Sequence, residues 1–339
     1  MSVAIETEPA ELCPGCSRQG RLALAGGRDY VCGLPGEWTF WACPACHSLW
    51  PNPRPVENAL PLLYPQNYIF TRSDEGSNAA FPTGLIASAK LAALQRRFAY
   101  ESLEQQADRR AGVWLGRFLS PFLWKKAGYS VRFLARKAGG KLLDVGCGNG
   151  GLMDWMQHLG WEVQGIEVDP VAAQRAIDRG LRVHQGKVED VVFPPGSFDA
   201  ITMTHVAEHF FDPRKVFRIL ERALKPGGVF VSVSPNPSGM SRRLFGNKWY
   251  ALDPPRHLFL PTASAYRLML ESLGFEVQTR TSMRRFYWDF KESLSIATRG
   301  RVGAIPDSTM FKIAVRALGA LFSCIPGAGE EVICYATKR

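Results

Sequence analysis

The chain has 339 residues, 46% of them hydrophobic and 21% charged, which suits a globular fold with a full core and excludes a disordered or fibrous chain. No run of 18 apolar residues occurs and Met1 to Leu12 is polar and acidic. Neither a membrane-spanning helix nor a secretory signal is therefore expected, and a cytoplasmic location is. The net charge of +10 is concentrated: Gly84 to Gly139 holds eleven Lys/Arg against three acids, and Arg280 to Phe322 eight against three. The remainder is slightly acidic, so the basicity is attached to a core rather than built into it.

Cys13-Pro-Gly-Cys16 and Cys43-Pro-Ala-Cys46 are two C-x2-C knuckles separated by 26 residues. Each puts two thiolates on a tight turn, and Cys13, Cys16, Cys43 and Cys46 together complete a closed tetrahedral site for structural zinc. Tyr30 to Trp41, rich in aromatic and β-branched residues, reads as short strands of a zinc ribbon. His47 is adjacent and could substitute as a ligand; Cys32 has no paired partner and reads as buried. LWPNPRP at 49–55, followed by Leu62, Leu63, Tyr64 and Tyr68, completes a leader over residues 1–70. The segment 71–140 begins with a polar linker, Thr71 to Thr83, and continues as a mainly helical cap whose apolar part, Val113 to Trp124, should kink at Pro121.

The rest of the chain is organised around Lys141 to Gly151, KLLDVGCGNGG. Leu142, Leu143 and Val145 make a buried parallel strand, and Gly146, Gly148, Gly150 and Gly151 permit a tight turn and close approach to a ligand. Leu152, Met153, Trp155, Met156 and Leu159 then recur at helical spacing. The loop also satisfies the G-x-G-x-x-G of dinucleotide enzymes, but Asp144 at the strand end would repel a pyrophosphate and suits an ammonium. Glu167 lies 21 residues after Gly146, where an acid takes two ribose hydroxyls. Strands are expected at 141–146, 162–168, 181–185, 198–204 and 228–234, and helices near 150–159, 170–179, 212–224 and 262–273. This alternation makes an α/β, Rossmann-like fold with helices on both faces.

With FDAIT at 198–202, HVAEHFFDP at 205–213 and LKPGGVFV at 224–231 in order, the chain resembles the class I S-adenosylmethionine-dependent methyltransferases. The resemblance implies a seven-stranded sheet whose last strand, EEVICYATKR, runs antiparallel beside FEVQTRT at 275–281. The core would then be 141–282, with a helical insertion at 283–329 and the final strand at 330–339. It implies S-adenosylmethionine held by Asp144, Gly146, Cys147, Gly148 and Gly150 at its methionine end. Glu167 and Val168 would lie at the ribose, Val188 and Glu189 near the adenine, and Thr204 at the end of the fourth strand. Lys187 stands where many relatives carry Asp. The leader is similar to those of methyltransferases in bacterial glycan and natural-product pathways and of zinc-bearing sugar C-methyltransferases.

The sulfonium is already electrophilic, so the protein must align a nucleophile and, for a hydroxyl acceptor, supply a base. Of six histidines, His257 in DPPRHL is the first candidate, with His205 and His209 after it; Arg256 could meet a phosphate or carboxylate of the acceptor. Phe286, Tyr287, Trp288 and Phe290, and the helix Met310 to Phe322, could join residues 84–137 in a basic-rimmed pocket or touch a membrane surface peripherally, at its inner face, at 84–137 and 284–322. The expected reaction is O-methylation of a small-molecule, glycan or lipid-linked intermediate. The alternatives are C-methylation of a nucleotide-linked keto-sugar and, less in keeping with basic segments so rich in large aliphatics, RNA base methylation.

Overall fold

The computed structural model describes residues 5–64, 85–100, 124–125, 127–137 and 139–339, with backbone alone for 85–91. Tyr68, the linker at 71–83 and the apolar stretch from Val113 to Leu123 with Pro121 lie outside these residues. The leader is built from β1 (Thr7–Glu8), β2 (Arg21–Gly27), β3 (Trp38–Ala42), β4 (Leu49–Pro51) and β5 (Arg54–Pro55). Strands β2, β3 and β4 form one antiparallel sheet, and β1 pairs with β5. The first ribbon strand thus precedes Tyr30 rather than following it. Asp29 explains this: its carboxylate accepts from the amides of Val31, Cys32 and Leu34 and curls that segment into a turn. Glu57–Leu63 adds a 3-10 turn, and α1 spans Leu85–Phe98.

The core then alternates β6 (Lys141–Val145), α2 (Gly151–His158), β7 (Glu162–Glu167), α3 (Pro170–Asp178), β8 (Arg182–Gln185), β9 (Phe198–Thr204), α4 (Pro213–Ala223) and β10 (Leu224–Pro235). After it come α5 (Met240–Phe245), α6 (Ala263–Glu271), β11 (Phe275–Ser282), α7 (Phe286–Arg299), α8 (Thr309–Phe322) and β12 (Glu331–Lys338). The seven strands lie in the order β11-β12-β10-β9-β6-β7-β8. β12 runs antiparallel between β10 and β11, with Phe275 opposite Lys338 and Ser282 opposite Glu331; the other six strands run in one direction.

Successive residues of the buried strands serve opposite faces, which is why these strands read as continuous apolar runs. Leu142, Val163, Ala200 and Val231 pack against Met153 and Met156 of α2, Ala176 of α3, and Leu94 and Phe98 of α1. Leu143, Val145, Ile201, Met203 and Phe230 pack against Phe217 and Leu220 of α4 and Tyr266 and Met269 of α6. Cys13, Cys43, Cys46 and Trp50 belong to that second cluster, so the ribbon shares the core of the sheet. Leu49 and Leu260 exchange backbone hydrogen bonds of 3.2 and 2.7 Å, and the Thr262 hydroxyl donates to the Cys46 carbonyl. A third cluster joins Met240, Phe286, Val315 and Ala328, seating α7 and α8 beside α5. Among the described residues no helix is long and apolar enough to cross a membrane.

Candidate active site

Strand β6 pairs with β7 on one side and β9 on the other, so the strand order reverses there and a crevice opens at the carboxyl ends. The glycine loop lines it. Gly146, Gly148 and Gly150 have φ of 68°, 55° and 84°, a region closed to most side chains. A Cβ on Gly146 would meet Val206 at 2.3 Å, whereas one on Gly148 would meet nothing within 4 Å. The loop is therefore clamped by the HVAEH segment at one glycine and open at the next.

Asp144 is 4% exposed and accepts from the Thr202 hydroxyl at 2.7 Å. Burial pushes its carboxyl up to about 6, against the opposing pull of Thr202 and Arg132. Glu167 ends β7 and accepts from the Gly148 amide at 2.7 Å and the Asp169 amide at 2.9 Å; burial raises it too. Two desolvated carboxylates beside an open glycine turn fit the ammonium and ribose hydroxyls of S-adenosylmethionine. Cys147 is buried beneath the loop, where burial raises its thiol. Val188 is buried and opens a 3-10 turn with half-buried Glu189, Thr204 accepts from Arg132 Nε at 2.8 Å, and the Val168 side chain is 63% exposed. Lys187 pairs with Glu57 of the leader at 3.0 Å.

The histidines gather beyond β9. His205 stands at its end with φ 56°, an uncommon conformation for a residue with a Cβ. Its Nδ1 lies 3.4 Å from Glu208 and its Nε2 3.3 Å from Glu331. Burial draws the imidazole down, but the two carboxylates outweigh it and leave it raised. His209 Nδ1 sits 3.0 Å from the Tyr64 hydroxyl and 3.2 Å from the Arg256 carbonyl, while His257, 7% exposed, places Nδ1 2.8 Å from the Ala251 carbonyl. The two rings meet edge to face at 4.9 Å. The Glu208 carbonyl accepts from the amides of Leu258 and Phe259 and so holds the DPPRHL loop against the sheet.

Arg256 does not face an acceptor. It is 1% exposed, its guanidinium held by Asp29 and Asp253 at 2.5 to 3.1 Å, and it ties the leader to this loop. An arginine with two buried carboxylates is neutralised in place and has no charge to offer a substrate. Several polar residues that the linear pattern does not announce complete the site. The Glu331 carboxylate accepts from the Tyr129 hydroxyl at 2.9 Å, and Arg285 lies 3.2 Å from Asp289. The oxygens Asp289 Oδ2, Glu330 Oε2 and Glu331 Oε2 are buried without hydrogen-bond partners. The only sequence signal was Glu330-Glu331 opening an apolar strand. The basic segments do converge, but on aromatics: Arg132 and Arg284 stand 4.9 and 4.2 Å from the Tyr129 ring, Arg280 3.4 Å from that of Phe133.

The two cysteine knuckles are built alike. Ser17 and His47 both have positive φ, and the amide following each pair bonds back to Cys13 or Cys43. Cys13 Sγ lies 3.6 Å from Cys46 Sγ, Cys16 Sγ 3.4 Å from Cys43 Sγ, and all four sulfurs fall within 4.8 Å. Thiolates at tetrahedral zinc stand about 3.8 Å apart, so the cluster is compatible with that ion. His47 is exposed and outside it.

Strand order, glycine turn and paired carboxylates define the class I S-adenosylmethionine-dependent methyltransferase fold. Residues 124–280 match the family model described as a methyltransferase domain. It is 36% identical over 128 residues to a ubiquinone biosynthesis O-methyltransferase of Xanthomonas euvesicatoria pv. vesicatoria, covering 35% of this chain and 54% of that protein. The Xanthomonas campestris pv. campestris protein of the same name is 35% identical over 127 residues, 35% of this chain and 53% of its own. The chain thus spans about half the length of the curated relatives it matches. Similar solved structures include an S-adenosylmethionine-dependent methyltransferase from Mesorhizobium loti (TM-score 0.45, 18% identity, 64% of this chain and 97% of that one). Another is from Archaeoglobus fulgidus (TM-score 0.43, 18% identity, 71% of this chain and all of that one).

Proposed function

We propose that this protein transfers the methyl group of S-adenosylmethionine to an oxygen of a small, hydroxyl-bearing biosynthetic intermediate, of glycan, lipid-linked or natural-product type. The observation that carries the reading is the pair Asp144 and Glu167, buried at adjacent strand ends on either side of an open glycine turn. Asp144 and the loop take the ammonium, Glu167 the ribose, and the 188–189 turn lies toward the adenine. The cofactor supplies an activated methyl group; the chain must orient the acceptor and take its proton.

His205 is the base best supported. It adjoins the loop through Val206, keeps some exposure, and is oriented by a hydrogen bond between Nε2 and Glu331, with Glu208 3.4 Å from Nδ1. His209 and His257 each have Nδ1 at a backbone carbonyl, and their rings pack edge to face. The unpartnered carboxylate oxygens of Asp289, Glu330 and Glu331 suit an acceptor rich in hydroxyls better than a phosphate. The exposed Met310, Ile313 and Leu321 along α8 support an acceptor that carries a lipid, or contact with its membrane. Zinc in the four-cysteine site has a structural role, since four sulfurs leave no open position. An RNA substrate finds less support, because Arg132, Arg280 and Arg284 are spent on Tyr129 and Phe133.

C-methylation of a nucleotide-linked keto-sugar is the second reading, favoured by a leader that reaches the site through Tyr64 on His209. Radiolabelled donor offered to glycan and lipid pools, with product hydrolysis, separates the two. Oxygen transfer yields a methyl ether, the hydroxyl proton passing to the base, and leaves every carbon-bound hydrogen in place; carbon transfer releases one carbon-bound hydrogen as a proton and puts the methyl group on that carbon.

A further inference from the structure

Glu208, His209 and His257 bring one ligand atom each to within 4.8 Å of the others. Their surroundings are those of ligands rather than of filler. A carbonyl can only accept, so His257, with Nδ1 on the Ala251 carbonyl, carries its hydrogen there and presents Nε2 as a lone pair; His209 Nδ1 lies between the Arg256 carbonyl and the Tyr64 hydroxyl, and donation to the carbonyl leaves its Nε2 free in the same way. Anchoring one ring nitrogen to free the other is how metal-binding histidines are oriented. Glu208 is 0% exposed, and neither of its carboxylate oxygens accepts a hydrogen bond. His205 Nδ1 lies 3.4 Å from this carboxylate without a directed bond. Burying a carboxylate with so little hydrogen bonding is expensive, and two imidazoles each bring a ligand atom to within 4.8 Å of it.

We infer that Glu208, His209 and His257 form a second metal site, for a divalent first-row ion such as Zn²⁺, Co²⁺ or Fe²⁺. Two imidazoles and one carboxylate suit such ions and leave at least one coordination position open. The site is distinct from the four-cysteine cluster in chemistry and in loading, since thiolates hold their ion more tightly than this N2O set. Binding at the two sites is therefore separable, and it is independent of whether methyl transfer occurs.

The test uses the full-length protein with its cysteine site loaded, dialysed against EDTA and titrated with Co²⁺ while absorption is followed. The expected result is a further equivalent per chain with weak visible bands and no sulfur-to-cobalt charge transfer, lost in Glu208→Gln and His257→Gln. Absence of that further equivalent in the wild type overturns the site even if a variant fails to fold. Retention of it in both folded variants overturns the assignment. Loss of methyl transfer with the cobalt signal intact would count against the functional reading and leave the metal site standing.

Discussion

The two halves of the crevice differ in how their polar groups are kept. On the cofactor side, along β6 and β7, Asp144 and Glu167 each accept hydrogen bonds from neighbours fixed by the strand–loop–helix unit. On the acceptor side, beyond β9 and β10, carboxylate oxygens of Glu208, Asp289, Glu330 and Glu331 are buried and unmet. Burial, with Asp289 nearby, pushes the Glu330 carboxyl up to about 8 against the hydrogen bond it accepts from the Ser241 amide. A donor site common to many reactions can be prearranged from local sequence.

The largest effect should come from the element that supports both halves. Cys43→Ser removes a ligand of the proposed zinc from a cluster packed in the common core, and structural zinc is worth about 10–16 kcal/mol in small domains. Chelation of the wild type at elevated temperature, or this variant, is expected to abolish cooperative melting in a calorimetric scan. An unchanged melting curve would separate the ribbon from the fold.

Next, His205→Gln should lower turnover by about 10²–10⁴-fold while S-adenosylhomocysteine still binds, which confines the damage to the acceptor half. The wild-type rate should climb as pH rises through the raised value of His205, because only the neutral ring takes a proton. A flat pH profile with the variant fully active would remove His205 from the reaction.

The cofactor half has its own titration. Asp144, raised to about 6, must be ionised to hold an ammonium, so affinity for S-adenosylhomocysteine should fall about tenfold per unit as pH drops below that value. Smallest is Thr262→Val, which removes the cap of α6 and the hydroxyl donated to Cys46; about 1–2 kcal/mol of stability should be lost without a change in cofactor affinity. Denaturant melts check this directly.

The half proposed to hold the cofactor was also the one whose geometry was legible. Buried parallel strands announce themselves as apolar runs, glycines at positive φ announce the turn, and Asp144 and Glu167 follow at fixed offsets from both. The acceptor half was not, because its residues meet across the chain. Arg256 looked like a free anion-binding group until Asp29, 227 residues away, was seen to neutralise it. Glu331 reaches His205 across 126 residues, and Arg132 reaches Thr204 across 72. No periodicity encodes such pairs. The ribbon's strands were displaced from their expected place for a local reason, the turn that Asp29 imposes on Val31 to Leu34.

The central claim is that Asp144 and the glycine loop hold S-adenosylmethionine, and calorimetric titration with S-adenosylhomocysteine tests it most directly. The wild type should bind at neutral pH, and Asp144→Asn should bind about 10- to 100-fold more weakly, the cost of a charge-assisted hydrogen bond, with its melting temperature preserved. No binding to the folded, zinc-loaded wild type, or equal binding by the two proteins, would contradict it.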